Sequence, residues 1–385
     1  MTLLVVGASL AGLRAVESAR RTGYRGRIVL VGAEEHVPYD RPPLSKAFLD
    51  PGHPGRVEPF HPEAVLRDEL GVELLLGAPA EGLDTEAREV VVAGKAVRYD
   101  ALVIATGATA RRLPGARALR TAEDAVAVRA ALDEGARTVV IGAGFIGSEV
   151  ASAARKRGLP VTIVEAAPVP LVRAVGEVAG AELAGLHRAA GTELRLGAEV
   201  TGVAEGVRLF TGEVLPADLV VAGIGAAPAT AWLEGSGLTL HERDRGVVCD
   251  ATLAAGPPGV YAAGDVAHVP NPLFDGEPAR QEHWTNAAEQ GAAAARHALD
   301  PASARPREAV PYFWSDWYGH RIQFVGTPRA DEVVSVAAGG VTLYRRGDRI
   351  VGALTVDPPR EIMKYRRRVA ARASWDEALA FAGAA

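Results

Sequence analysis

The chain of 385 residues has one cysteine, Cys249, and two methionines, and aromatic residues make up only 5% of it. A single thiol forms no intramolecular disulfide, and without a C-x-x-C pair it holds neither zinc nor an iron–sulfur cluster. No redox-active disulfide can therefore form within the chain, and no metal site is expected. No run of about 20 apolar residues occurs, which argues against a membrane span. An excess of positive charge is also lacking. The 42 Lys and Arg are outweighed by 47 Asp and Glu, for a net charge of −5, which gives no reason to expect nucleic acid as a partner. The apolar opening run Thr2-Leu3-Leu4-Val5-Val6 has no positive leader or cleavage site and passes straight into a glycine turn. It reads as a core strand rather than a secretory signal, and a reducing, cytoplasmic setting is the expectation. With 48% hydrophobic and 23% charged residues, the composition is that of a globular protein with room for two or three domains.

Glycine is plentiful, at 43 residues, and part of it is patterned. The opening strand feeds Gly7-Ala8-Ser9-Leu10-Ala11-Gly12, and Thr138-Val139-Val140-Ile141 feeds Gly142-Ala143-Gly144-Phe145-Ile146-Gly147. Strand, glycine turn and helix in that order cradle a pyrophosphate, because glycines let the backbone come close and a helix N-terminus presents free N–H groups. An acid beyond the next strand makes the signal strong. The second copy is complete: Glu165 ends Val161-Thr162-Ile163-Val164-Glu165, where a carboxylate can bind ribose hydroxyls. The charge of Glu165 repels a 2′-phosphate, and Ala166-Ala167-Pro168 offers no arginine, so NADH is favoured over NADPH. Arg173 is the one nearby cation that weakens this preference. In the first copy Ser9 replaces the middle glycine, and Glu34 or Glu35 is the ribose acid.

The repeated fold unit implies parallel sheets covered by helices. The second unit is expected to interrupt the first, with crossings near 109–115 and 234–246. Two further short strands end in glycine, one at Thr106-Gly107 and one at Gly264-Asp265. From about Arg307 strand-like patches such as Gly340-Val341-Thr342-Leu343-Tyr344 replace the alanine-rich runs. The expected division is a discontinuous dinucleotide-binding domain (1–108 and 241–306), a second one (109–240) and a small α+β domain (307–385). Tyr312, Phe313, Trp314, Trp317 and Tyr318 crowd the start of the last, where a domain core is the plainest explanation.

The run Glu34-Glu35-His36-Val37-Pro38-Tyr39-Asp40-Arg41-Pro42-Pro43-Leu44-Ser45-Lys46 resembles the signature of FAD-dependent NAD(P)H:ferredoxin and rubredoxin reductases. Similar to that family are also Ala105-Thr106-Gly107-Ala108, Gly144-Phe145-Ile146-Gly147-Ser148-Glu149, Tyr261-Ala262-Ala263-Gly264-Asp265, Glu282-His283-Trp284 and Pro311-Tyr312-Phe313-Trp314-Ser315-Asp316. The resemblance implies an α/β fold of two Rossmann-like, glutathione reductase-like domains plus the small C-terminal domain. It also implies FAD in the first site, NADH in the second and a separate iron–sulfur or rubredoxin-type acceptor.

By the same resemblance, Gly7, Ser9, Leu10, Ala11 and Gly12 hold FAD together with Glu34, Arg41, Lys46, Thr106, Gly107, Asp265, Glu282 and Trp284. Gly142, Gly144, Phe145, Ile146, Gly147, Glu165 and Arg173 hold NAD. Lys46 and Glu149 are implied to pair beside the flavin's reacting nitrogen, where a cation favours electron-rich flavin. Asp265 is placed to accept from ribityl or ribose hydroxyls, the alternative being a helix-capping aspartate. Trp284 opens an alanine-rich helix, Trp284 to Ala298, as a flavin-covering wall whose N-terminus can face the flavin O2 edge. Where Trp317 stands, the family usually carries a smaller polar residue.

The leading function is an NADH-dependent reductase that passes electrons singly to a small iron–sulfur protein, serving an oxygenase. An NADH oxidase or peroxidase requires a cysteine near the flavin, and Lys46 occupies the equivalent stretch. A cell-death-type flavoprotein that senses NADH and turns over slowly is the reading from another class. Trp314 and Trp317, with the basic stretch Lys364, Arg366, Arg367, Arg368 and Arg372, are candidates for the acceptor's docking surface, a solvated helix face being the alternative for the basic stretch.

Overall fold

The computed structural model describes residues 1–336, 340–357 and 361–383. The chain divides into two compact units, one of 1–40, 58–109 and 227–309, the other of 41–57, 110–226 and 310–385.

The first unit is built on a parallel sheet in the order Val260–Ala262, Ala101–Ile104, Thr2–Val6, Arg27–Val31, Val72–Leu75. Its three inner strands carry apolar runs because both faces of a parallel sheet are covered there; residues 3–6, 28–31 and 101–104 are all buried, whereas the edge strand Val72–Leu75 exposes Glu73. Helix Leu10–Arg21 packs against helix Trp284–Leu299, the alanine-rich segment expected to be helical. The separation of these helices is set by glycine. A Cβ on Gly291 would lie 2.1 Å from the Ala11 carbonyl oxygen, and Ser18 Oγ donates to the Ala292 carbonyl at 2.9 Å. Two three-stranded sheets complete the unit: an antiparallel one of Ala80–Asp84, Glu89–Val92 and Lys95–Arg98, and a mixed one in which Val247–Val248 runs parallel and Glu277–Arg280 antiparallel to the central Ala267–Asn271.

The second unit repeats the parallel plan in the order Glu193–Leu196, Val161–Glu165, Thr138–Ile141, Leu219–Ala222. Helix Ala122–Asp133 starts at a capping box, in which Thr121 and Asp124 satisfy each other's backbone N–H groups. Helix Phe145–Lys156 follows the second glycine turn, and helix Val172–Ala189 is interrupted at Gly176, where φ is 77°. The same unit holds an antiparallel sheet, Tyr312–Trp317, His320–Gly326, Arg349–Val356, Val341–Arg346, Glu332–Val336, and the helices Ile362–Ala370 and Trp375–Gly383.

In this division the return crossing falls at 226/227, earlier in the chain than 234–246. The segment after it is tied to the first unit, with the Ala229 N–H donating to the Gly107 carbonyl and Thr85 Oγ1 to the Ser236 carbonyl, each at 3.0 Å. The stretch 41–57 groups with the second unit, held by Arg41 Nη1 on the Arg120 carbonyl (2.8 Å), Arg129 Nη1 on the Phe48 carbonyl (2.8 Å) and Arg157 Nη1 on the Leu49 carbonyl (2.5 Å). Among the described residues no helix is long and apolar enough to cross a membrane.

Gly291→Ala should lower unfolding free energy by about 1–3 kcal/mol, because its methyl has to displace backbone rather than a flexible side chain. Urea unfolding measures this, and a change near zero would contradict the close approach of the two helices.

Candidate active site

Both glycine turns have the same construction. Gly7 has φ 124°, its N–H donates to the Val31 carbonyl at 2.8 Å, and a Cβ on it would sit 2.1 Å from the Ala105 carbonyl oxygen. A Cβ on Gly12 would lie 1.9 Å from the Gly7 oxygen. In the second turn Gly142 has φ 100° and donates to the Val164 carbonyl at 2.7 Å. A Cβ there would meet the Gly223 oxygen at 2.5 Å, and one on Gly147 the Gly142 oxygen at 2.1 Å. The outer glycines are thus demanded by the fold itself.

The middle position is different. A Cβ on Gly144 would have no neighbour closer than 3.6 Å, so the protein's own packing does not exclude a side chain. Bare backbone at a helix N-cap, beside N–H groups that the helix leaves unbonded, fits the approach of a pyrophosphate. The equivalent N-cap of the first turn is Ser9, in extended conformation (φ −128°), with the Leu13 N–H donating to its carbonyl at 2.9 Å. Serine is tolerated here because the middle position is the one that fold packing leaves open. Leu10 and Ala11 are buried in the first helical turn. Phe145 and Ile146 open the second helix half-buried, with the Phe145 ring 4.8 Å from that of Phe313.

An acid ends or follows the second strand of each repeat. Glu165 accepts the Ala143 N–H on Oε2 (2.7 Å) and the Ala167 N–H on Oε1 (2.8 Å), which joins the strand-end carboxylate to the glycine loop. Arg173 is exposed in the first turn of helix Val172–Ala189. Of the two candidates after the second strand, Glu34 is half-buried and accepts from the Tyr39 hydroxyl at 2.6 Å, while Glu35 is exposed.

Other expected residues of the first unit have structural bonds. Thr106 Oγ1 donates to the Ala229 carbonyl at 2.9 Å, and Gly107 takes φ 66°. The Asp265 carbonyl accepts from Arg280 Nη1 at 2.9 Å, and the same guanidinium meets Glu282 at 2.5 Å. Trp284 Nε1 donates to Asp40 Oδ1 at 2.8 Å, fixing the indole at the start of its helix. His241, Asp244 and His268 also come together, a grouping that carries no motif in the sequence. The Arg280 guanidinium bonds Asp244 at 2.8 Å, and its charge opposes a second cation there.

In the second unit Lys46 Nζ lies 2.7 Å from Glu149 Oε1, Lys46 being 19% exposed and Glu149 2%. The R-P-P-L-S-K run explains the placement. Pro42 and Pro43 preset φ for the short helix Pro42–Ser45, buried Leu44 and Phe48 pin it, and Ser45 and Lys46 are left to meet the carboxylate. The hydroxyls of Ser45 and Ser315 both donate to Glu149. A buried carboxylate with a cation and two donors is stabilised by charge-assisted bonds. Both serines sit inside the quoted motifs, yet nothing in the sequence signalled that they converge on one carboxylate.

Cys249 is buried, its thiol pushed up to about 12 by burial, with Sγ 3.6 Å from the Val247 carbonyl oxygen. Such a thiol carries almost no thiolate at neutral pH. Trp317 does not belong to an exposed surface. It is 0% exposed, because side chains alternate along Tyr312–Trp317 and half-buried Trp314 and Asp316 take the opposite face. The Trp314 ring stacks on Tyr312 at 5.7 Å, with the Arg321 guanidinium 5.9 Å from its centroid. In the basic stretch Lys364 and Arg367 are exposed, whereas Arg368 lies 3.6 Å over the Phe381 ring.

Two outcomes check this geometry. Gly144→Ala should change stability by less than about 1 kcal/mol, the scale of an altered N-cap, yet weaken dinucleotide binding about tenfold. Gly142→Ala should instead cost about 1–3 kcal/mol through strain and contact; melting curves and NAD titrations separate the two. For the thiol, Ellman's reagent should find no reactive cysteine in the native protein at pH 8 and one after denaturation.

Residues 1–291 match the family "Pyridine nucleotide-disulphide oxidoreductase", and residues 312–384 match "Reductase C-terminal". The chain is 38% identical to rhodocoxin reductase of Rhodococcus erythropolis, covering 96% of this chain and 90% of that protein. It is 37% identical to the ferredoxin–NAD(+) reductase subunit of the benzene 1,2-dioxygenase system of Pseudomonas putida, covering 96% and 92%. The crystal structure of a covalent putidaredoxin reductase–putidaredoxin complex superposes with a TM-score of 0.88 at 33% identity, covering 96% and 93%. With its paired glycine turns and a C-terminal reductase domain, the chain belongs to the pyridine nucleotide-disulphide oxidoreductase family and is an oxidoreductase.

Proposed function

We propose that this chain is an NADH-dependent flavoprotein reductase that passes electrons through FAD to a small iron–sulfur protein, a ferredoxin or rubredoxin, in a cytoplasmic oxygenase system. The observation that carries the reading is the combination of two acid-bearing glycine turns with a lone cysteine whose thiol is buried and protonated. Relatives named as ferredoxin–NAD(+) reductase and rhodocoxin reductase support the acceptor class. We assign three domains, with boundaries at 1–108 with 241–306, 109–240 and 307–385.

FAD, when bound, supplies the conversion of a two-electron hydride into single electrons. The chain's own residues do the rest. The turn from Gly7 to Gly12 and Glu34 hold one dinucleotide, with Arg41, Thr106, Gly107, Asp265, Glu282 and Trp284 around it. The turn from Gly142 to Gly147 and Glu165 hold NADH, and Arg173 flanks them. Lys46 places a cation at the flavin, and Glu149 fixes that cation in position. The absence of a reactive thiol argues against the oxidase and peroxidase readings, which need one.

The test is anaerobic. NADH should reduce the bound FAD, and the reduced protein should reduce a ferredoxin or a rubredoxin from a panel within seconds. A long-lived reduced complex that reduces none of them would favour the NADH sensor. Glu165→Ala should narrow the preference for NADH over NADPH about tenfold or more, read as the ratio of kcat/KM values. A wild-type preference for NADPH would overturn the role given to Glu165.

A further inference from the structure

Glu149 is joined to a polar chain that extends beyond the Lys46 pair. Trp317 Nε1 donates to Ser315 Oγ at 2.8 Å, and Ser315 Oγ donates to Glu149 Oε1, the oxygen that Lys46 Nζ meets at 2.7 Å. The direction of this chain is fixed. An indole nitrogen only donates, so Ser315 Oγ must accept there, and its single proton is left for the carboxylate. A serine without that N–H is free to choose among three staggered wells and other acceptors.

The indole is held in its turn. Its ring lies 4.8 Å from that of buried His187 at an interplanar angle of 31°. Burial holds the His187 imidazole down to about 4, so at pH 7 it is neutral. His187 Nδ1 meets the Tyr318 hydroxyl at 2.8 Å and Nε2 meets Ser148 Oγ at 3.3 Å. The Tyr318 N–H donates to Ser152 Oγ at 2.8 Å. Tyr318 takes φ 53°, a left-handed conformation that a tyrosine adopts only where its surroundings impose it. Ser148, Glu149 and Ser152 share helix Phe145–Lys156, so the strand end that carries Trp317 is registered on the helix that carries Glu149.

We propose that Trp317 is a positioning residue for the Lys46–Glu149 pair, acting by committing the Ser315 hydroxyl to Glu149 Oε1. The proposal rests on the reading of that pair as the flavin's cation and its partner. Released from Ser315, Glu149 no longer fixes Lys46, and the cation's preference for reduced, electron-rich flavin falls.

The experiment measures the FAD midpoint potential of the loaded protein, with melting of the FAD-free protein alongside. Trp317→Phe keeps an aromatic ring against His187 and removes the donor. A three- to tenfold loss of preference for the reduced form lowers the two-electron midpoint by about 14 to 30 mV. Ser315→Ala should give a similar drop, and the double variant no further one, because both act through one hydroxyl. Trp317→His, which retains a ring N–H, should stay nearer to wild type than Trp317→Phe. A lowered melting temperature with a midpoint within 5 mV of wild type in Trp317→Phe would make Trp317 a packing residue only. If that variant fails to load FAD, an unchanged midpoint in Ser315→Ala overturns the proposal equally. Lys46→Met is the control for the reading beneath it: a midpoint insensitive to that change would remove the pair from the flavin and leave the fate of Trp317 separate.

Discussion

A carboxylate that is 2% exposed has to be surrounded by donors, because burying an unpaired charge costs several kcal/mol. Glu149 meets that demand with groups drawn from distant parts of the chain: Ser45 and Lys46 from the proline-led turn, and Ser315 from the C-terminal sheet. The bonds of Ser45 and Lys46 to this buried charge add to those of Arg41, Arg129 and Arg157 that hold the stretch 41–57 in the second unit. It also ties the C-terminal sheet to helix Phe145–Lys156, and Trp317, His187 and Tyr318 extend the same network. Loss of a single partner would leave a largely buried carboxylate short of a donor, so the group behaves as one element.

The second constraint is steric. At Gly7, Gly12, Gly142 and Gly147 a methyl group would fall within 2.5 Å of a carbonyl oxygen. These contacts hold the turn against its own sheet and the following helix. The middle residue lies outside that constraint, which is why Gly144 in one copy and Ser9 in the other are compatible with one backbone plan. With glycine required by packing at the two outer positions and the middle one open to approach, what folds the turn is separate from what it binds.

The chemistry is shaped as much by the environment of the thiol as by its number. Cys249 follows the strand Val247–Val248 in the core of the first unit, and burial there pushes its titration up to about 12. A thiol in that environment carries almost no thiolate at neutral pH, so Cys249 is a packing residue of that core. The two faces of Tyr312–Trp317 divide the remaining roles. Trp314 and Asp316 are half-buried on one face, and Ser315 and Trp317 are directed into the Glu149 network on the other.

By itself the sequence determined the elements whose signals are local. Apolar runs of period one, broken at Gly7 and Gly142, marked the parallel strands, and Glu165 marked the end of one of them. The helix beginning at Trp284 and the strands after Arg307 were legible from composition alone. Tertiary structure decided what depends on distance along the chain. The family resemblance already favoured Glu34 over the adjacent Glu35, and the fold adds its half-buried position and its bond from the Tyr39 hydroxyl. Trp317 reads as one more aromatic beside Trp314 until strand alternation and the His187 ring bury it. The convergence of Ser45, Lys46 and Ser315 on Glu149 is set by folding residues more than 100 positions apart into contact, and no local pattern records such a meeting.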